Sequence, residues 1–163
     1  MRRYQPEIDG LRAIAVTAVI LFHGHILPIP GGFAGVDVFF VLSGFLITSI
    51  LAEELDAGTF SLWQFYERRV RRIFPALFFV LGVTTVLAWA LLIPPQLEAY
   101  SKSLAAVVLF VSNFLFAAKT GYFSPALEEA PLLHTWSLAV EEQFYLLFPL
   151  ALAALHRRAR RWL

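Results

Sequence analysis

Four long apolar runs limit what this chain can fold into: residues 11–27, 36–51, 73–93 and 136–155. Each run approaches or exceeds the length that a helix needs to cross a hydrocarbon core about 30 Å thick. Hydrophobic residues make up 59% of the 163 residues and charged residues only 15%, which differs from the composition of ordinary soluble domains. Because lipid offers no hydrogen bonds to backbone polar groups, only helices and closed barrels span a bilayer. The sequence therefore predicts an all-α, polytopic integral membrane helix bundle that forms a single domain over residues 1–163.

A shorter apolar stretch, residues 104–118, decides how many times the chain crosses the membrane. A stretch of about 15 residues is more typical of a re-entrant or interfacial segment than of a crossing. If the amino terminus is cytoplasmic and this stretch does not cross, the arginine clusters at residues 68–72 and 157–161 both face the cytoplasm, as positively charged loops tend to do. The sequence therefore predicts four spans in the cell inner (plasma) membrane, with residues 94–134 forming a re-entrant or interfacial segment on the outer side. Five spans are the alternative.

Arg12 and His23 share one face of the first predicted span. Their positions differ by eleven residues, which at about 100° and 1.5 Å per residue is three turns, roughly 16 Å, with almost no net rotation. An ionisable group inside a membrane helix is costly and is by default a candidate functional residue. A neutral imidazole can accept a proton from a hydroxyl near neutral pH. His23 is therefore a candidate general base, and the alternative is a histidine that satisfies a helix-packing hydrogen bond.

Three carboxylates are further candidates. Asp37 enters the second span, where it can orient the imidazole or bind a polar substrate, or simply complement the helix dipole. Glu141 and Glu142 lie within the last long apolar run, where a carboxylate facing lipid is costly. At least one of these two glutamates is therefore predicted to face the bundle or a wet cavity.

Basic and aromatic residues alternate over residues 60–72, as in an amphipathic interfacial helix. Arginines beside a span are common orientation signals and contacts for anionic membrane lipid. The functional alternative is that Arg69 and Arg72 form a guanidinium cradle for a phosphorylated ligand. The cation Arg12 lies at the start of the first span, and the candidate general base His23 lies farther along it. A nucleotide-linked cofactor with a long thin arm could therefore bind near the arginines and react near His23.

Other kinds of chemistry lack their sequence signals. The chain has no cysteine, and its four histidines do not show the i, i+4 spacing of a helical zinc site, so no metal is predicted. No glycine-rich phosphate loop occurs, and no nucleic-acid partner is expected.

Five segments in order resemble the amino-terminal part of the membrane acyltransferase-3 family, which includes bacterial O-antigen and peptidoglycan O-acetyltransferases. They are residues 8–13 with His23, residues 35–47, residues 65–75 with an Arg-x-x-Arg-Ile-Phe-Pro pattern, residues 121–123, and residues 131–149. The resemblance implies an enzyme that moves an acetyl or similar short acyl group from acyl-coenzyme A to a hydroxyl of a cell-surface saccharide or lipid-linked glycan.

The same resemblance implies roles for individual residues. His23 would be the catalytic base or acyl-relay residue, and Arg12 belongs to the same paired motif. Arg69 and Arg72 would bind the coenzyme, and Glu141 matches a polar position of the family motif.

Members of the family usually carry more spans than this chain contains, so we expect the chain to be a fragment or to need a second chain that completes the bundle. Two other classes of function stay open. One is an inactive remnant or non-catalytic membrane subunit that binds a partner or lipid. The other is a small transporter, which is disfavoured because no inverted hydropathy repeat is visible.

Overall fold

The computed structural model describes residues 6–26, 30–118 and 130–159. Within these ranges the chain is helical and contains no strand, which confirms the all-α prediction. The elements in chain order are α1 (Pro6–His23), a 3₁₀ turn (Gly32–Ala34), α2 (Gly35–Asp56), α3 (Leu62–Leu91), α4 (Pro94–Val108), α5 (Ser112–Ala118) and α6 (Thr135–Ala159).

By their internal packing, the helices divide into two compact units, Met1–Phe60 and Ser61–Leu163. The first unit contains α1 and α2, and the second contains α3 to α6. The single domain expected from the sequence stays a prediction, and each unit is described by itself below.

Three helical segments of the described chain are long and apolar enough to cross a membrane: Gly32–Asp56, Leu62–Leu91 and Thr135–His156. The length and composition of these three segments indicate a membrane protein. Helix α1 is not among them, although it has 18 residues, because three charged residues lie near its start: Glu7, Asp9 and Arg12. The four-span arrangement requires α1 to cross as well and stays a prediction.

Helix α1 ends at His23, four residues before the end of the first apolar run. The residue His25 adopts a left-handed conformation with φ of 50°. The amide of His25 donates to the carbonyl of Phe22, and the amide of Ile26 donates to the carbonyl of Leu21, at 3.2 Å each. This pair of bonds is a Schellman motif, which closes a helix and satisfies its last carbonyls. His23 therefore lies at the exposed mouth of α1, whereas the apolar run suggested a position inside the helix.

Two glycines let α1 and α2 approach closely. A Cβ added to Gly35 would lie 2.4 Å from the carbonyl oxygen of Ala15, and one added to Gly32 would lie 2.6 Å from the Cβ of Phe22. Both glycines are buried. Small residues at a membrane helix interface allow this kind of backbone contact, which replaces the missing hydrophobic driving force with close packing. The first unit is therefore a tight α1–α2 pair.

Helix α3 is one continuous helix of 30 residues. The sequence suggested an interfacial helix over residues 60–72 followed by a span from residue 73. Ser61 caps the helix by accepting a hydrogen bond from the amide of Gln64, and Pro75 lies in its interior. The two predicted segments therefore belong to one rod.

Helix α4 returns along α3. The hydroxyl of Tyr100 lies 3.1 Å from the Thr84 hydroxyl and 2.9 Å from the Thr85 hydroxyl. Farther along, the ring of Phe110 lies 6.2 Å from the ring of Phe74. The buried apolar core of the second unit is formed by Leu77, Leu81, Ala88, Tyr100, Val107 and Leu132.

The stretch 104–118 is not one continuous helix. Phe110 is left-handed, with φ of 53°, and a second Schellman motif closes α4 there, because the amides of Phe110 and Val111 donate to the carbonyls of Val107 and Ala106. The side-chain amide of Gln143 donates a hydrogen bond of 2.8 Å to the carbonyl oxygen of Phe110. The re-entrant or interfacial placement of this segment stays a prediction, with a fifth span as the alternative.

Candidate functional site

The predicted site residues fall into both units. Arg12, His23 and Asp37 belong to the first unit. Arg69 and Glu141 belong to the second unit, as does Arg72. The environment of each group is described within its own unit.

The imidazole of His23 is oriented by its own helix. Its Nδ1 lies 3.0 Å from the carbonyl oxygen of Val19, one turn earlier. A carbonyl oxygen only accepts hydrogen bonds, so Nδ1 must carry the proton and Nε2 of the neutral ring must carry the lone pair. The ring is exposed and also packs edge-on against Phe22 at 5.1 Å. The histidine is therefore set in the tautomer in which Nε2 can accept a proton.

Arg12 lies three turns earlier on the continuous helix α1, which places it on the His23 face as expected. Its guanidinium carbon lies 4.8 Å from the centre of the Phe39 ring, within the range of a cation–π contact. This contact joins α1 to α2 at the amino-terminal part of α1.

Asp37 lies in the exposed first turn of α2, two residues before Phe39. A carboxylate at this position complements the positive end of the helix dipole. Within the described residues of the first unit, Asp37 makes no hydrogen bond to His23. The predicted orienting role of Asp37 is therefore filled by Val19 in this structure, and a role for Asp37 in binding a substrate stays a prediction.

The second unit brings Arg69 and Glu141 together through an aromatic residue. The guanidinium carbon of Arg69 lies 3.9 Å from the centre of the Tyr145 ring. The hydroxyl of Tyr145 donates a hydrogen bond to a carboxylate oxygen of Glu141. The hydroxyl of Tyr66 on α3 donates to the backbone carbonyl of Leu146 on α6 at 2.8 Å. We call the group Tyr66, Arg69, Glu141, Glu142 and Tyr145 the α3–α6 joint.

Glu142 is the second carboxylate of the α3–α6 joint. The charges of Glu141 and Glu142 both act on Arg69. The Oε1 atom of Glu142 is buried and has no hydrogen-bond partner within the part of the chain that the structure describes. The expectation that at least one of these glutamates faces the protein agrees with their partial burial.

Arg72 differs from Arg69, although it lies only one turn farther along α3. Its side chain is exposed, whereas Arg69 is partly buried. The neighbouring Arg71 is engaged in an ion pair with Glu67 at 2.8 Å. Arg72 therefore presents its guanidinium to the surroundings, and Arg69 is packed between helices.

Tyr66 and Tyr145 were not identified from the sequence. The only sequence signal is the spacing of Tyr145, four residues after Glu141, which places both on one face of a helix. Residues 121–123, which contribute to the family resemblance, lie outside the described residues. Across the described ranges, no group of three His, Asp or Glu side chains is arranged to hold a metal ion.

Long apolar helices that carry partly buried arginine and glutamate residues define a helical integral membrane protein with a polar site between its helices. The family model Acyl_transf_3, described as an acyltransferase domain, matches residues 5–163. The chain belongs to this family.

Named relatives agree with this membership. The O-acetyltransferase OatA of Staphylococcus aureus is 45% identical over 159 residues, which are 96% of this chain and 26% of that protein. The putative O-acetyltransferase SAS0844 of Staphylococcus aureus is 43% identical over 154 residues, which are 94% of this chain and 25% of that protein. The chain spans about a quarter of the length of these curated relatives. No solved structure matches the chain.

Proposed function

We propose that this protein is a membrane O-acyltransferase that moves an acetyl or similar short acyl group from acyl-coenzyme A to a hydroxyl of a cell-surface saccharide or lipid-linked glycan. Family membership and the printed names of the relatives support the reaction class. The observation that carries the proposal is the bond from His23 Nδ1 to the Val19 carbonyl, because it leaves Nε2 as a proton acceptor.

His23 acts as the general base in this mechanism. Its Nε2 takes the proton of the acceptor hydroxyl while the hydroxyl oxygen attacks the carbonyl carbon of the thioester. A carbon–oxygen bond forms and the carbon–sulfur bond breaks, so that coenzyme A leaves as a thiolate. The protonated imidazole then returns the proton, which restores the base and gives the free thiol.

The arginines bind the donor. Guanidinium groups bind phosphates through two parallel hydrogen bonds and keep their charge at all relevant pH values. The exposed Arg72 makes the direct phosphate contact, with the partly buried Arg69 beside it on α3. Arg12 stays a donor-binding candidate from the family resemblance. The two remaining candidates, Asp37 and Glu141, bind or orient polar groups of the substrates.

The change of Arg72 to alanine tests the donor site. Loss of a charge-assisted contact costs about 1.5 to 3 kcal/mol, so we expect acetyl-coenzyme A to bind the Arg72→Ala protein about 10- to 100-fold more weakly. Titration calorimetry on the purified protein in detergent measures this. Arg71→Ala is the matched control, because it removes the same charge from a side chain that is already paired with Glu67. Equal losses in both variants would assign the cluster to general charge or membrane orientation.

The protein is proposed to lie in the inner membrane with a cytoplasmic amino terminus and four spans. Because the chain has no cysteine, a single introduced cysteine reports the side of the membrane without background. We expect Lys119→Cys, at a residue outside the described ranges, to react with a membrane-impermeant maleimide added to intact cells. Lys102→Cys, at an exposed position of α4, is the control that both arrangements place outside. Labelling of Lys119→Cys only after permeabilisation would favour five spans.

A further inference from the structure

We propose that Tyr145 is the positioning residue for Arg69: its ring holds the guanidinium of α3 against α6 through the flat face of that group, whose N–H edge makes no hydrogen bond within the described residues. The inference that this edge serves the donor phosphates rests on the proposed function. The observation is the 3.9 Å separation between the guanidinium carbon and the ring centre, at a tyrosine that is only 2% exposed.

The geometry of a guanidinium explains why an aromatic ring can hold the group without using its N–H donors. Stacking on an aromatic ring uses the flat face of the group, and the five N–H donors point outward from its edge. A tyrosine ring therefore fixes the plane of Arg69 and does not compete for the donors. Phe65, on the same helix as Arg69, provides a second and more distant ring at 5.7 Å. Cation–π contacts strengthen as water is removed, and Tyr145 is buried.

Tyr145 is itself fixed at both ends. Its hydroxyl donates to Glu141 one turn earlier on α6. Pro149 lies in the interior of α6, four residues after Tyr145, and a proline at such a position weakens a helix locally. The hydroxyl of Tyr66 donates to the backbone carbonyl of Leu146 and fastens this turn of α6 to α3.

Arg69 has two carboxylates nearby before any ligand arrives. Glu141 and Glu142 both lie within Coulombic range of the guanidinium. An arginine with two carboxylates nearby attracts a phosphate less than an exposed arginine such as Arg72. The contribution of Tyr145 is therefore orientation of Arg69 and not added charge.

The experiment compares Tyr145→Leu, which removes the ring, with Tyr145→Phe, which keeps the ring and removes the hydroxyl. The first readout is modification of Arg69 by phenylglyoxal in the purified protein, mapped by mass spectrometry in the absence of ligand. The second readout is the dissociation constant of acetyl-coenzyme A. Phe144→Leu is the control, because it removes a neighbouring, more exposed aromatic ring that stacks on Phe148.

We expect Tyr145→Leu to raise the modification rate of Arg69 about 5- to 30-fold and to weaken acetyl-coenzyme A binding by a similar factor, which is the range between an exposed and a desolvated cation–π contact. Tyr145→Phe keeps the ring but loses the hydrogen bond to Glu141, so we expect a smaller effect than that of Tyr145→Leu. Phe144→Leu should leave both readouts within about twofold of the unmodified protein. If Tyr145→Leu fails to fold, Tyr145→Met, whose unbranched and flexible side chain adapts to irregular space, takes its place.

Unchanged reactivity of Arg69 after loss of the ring would overturn the proposal, as would equal effects of the leucine and phenylalanine variants. If the reactivity of Arg69 rises as expected but acetyl-coenzyme A binds none of the proteins, the positioning role stands and the proposed donor site fails.

Discussion

Replacement of His23 by alanine is expected to lower the rate of acyl transfer by about 10²- to 10⁴-fold, the usual contribution of a general base. The residue is exposed at the end of α1, and among the described residues its side chain makes one hydrogen bond, to the carbonyl of Val19. Membrane insertion and helix packing should therefore persist. The measurement is transfer of labelled acetyl from acetyl-coenzyme A to surface polysaccharide in membranes that contain equal amounts of each protein.

His25 provides the matched control for this experiment. It is an exposed histidine two residues away, and its left-handed backbone is tolerated by asparagine better than by most other residues. His25→Asn should therefore keep the transfer rate within a factor of about three. Transfer by the His23→Ala protein at more than a tenth of the original rate would remove the catalytic assignment. The protein would then fit the alternative of a non-catalytic membrane subunit.

The change of Gly35 to valine is expected to separate α1 from α2. The new Cβ would lie 2.4 Å from the carbonyl oxygen of Ala15 and 2.9 Å from the Cγ2 atom of Val19. The first of these atoms belongs to the helix backbone and cannot rotate away. Overpacking of a well-packed site costs about 1 to 3 kcal/mol, and we expect the upper end or more here. The midpoint of unfolding in sodium dodecyl sulfate, followed by circular dichroism, reports this loss.

Gly44 in the same helix is the control for Gly35. A Cβ added at Gly44 meets nothing within 4 Å. Gly44→Val therefore introduces the same side chain into α2 without a clash, and its unfolding midpoint should stay close to that of the original protein. A similar loss in both variants would contradict the close-packing explanation, because the cause would then be valine in α2 itself.

Helix formation was predictable because it follows from local apolar patterning. The runs at residues 36–51 and 136–155 became α2 (Gly35–Asp56) and α6 (Thr135–Ala159). Their true ends lie farther out, since charged residues continue a helix beyond the apolar part. The ends of α1 and α4 could not be predicted. Each end depends on a residue other than glycine in the left-handed conformation: His25 for α1 and Phe110 for α4. The intrinsic backbone preference of such residues disfavours this conformation.

The sequence allowed individual candidate residues of the site to be chosen, but it did not allow the contacts between them to be predicted. Charge within an apolar run singles out Glu141 in any reading of the sequence. The contact between Arg69 and Tyr145 joins two helices that are distant in the chain, and no periodicity encodes it. The tautomer of His23 could not be predicted from the sequence either, because it follows from the distance between Nδ1 of His23 and the carbonyl oxygen of Val19.

The hydrogen bond between Nδ1 of His23 and Val19 has a further consequence for turnover. An imidazolium ion carries hydrogen on both ring nitrogens, so the bond from Nδ1 survives when the opposite nitrogen gains a proton. In the proposed role of His23 as a base, the ring can therefore gain and lose a proton without rotating to a new rotamer.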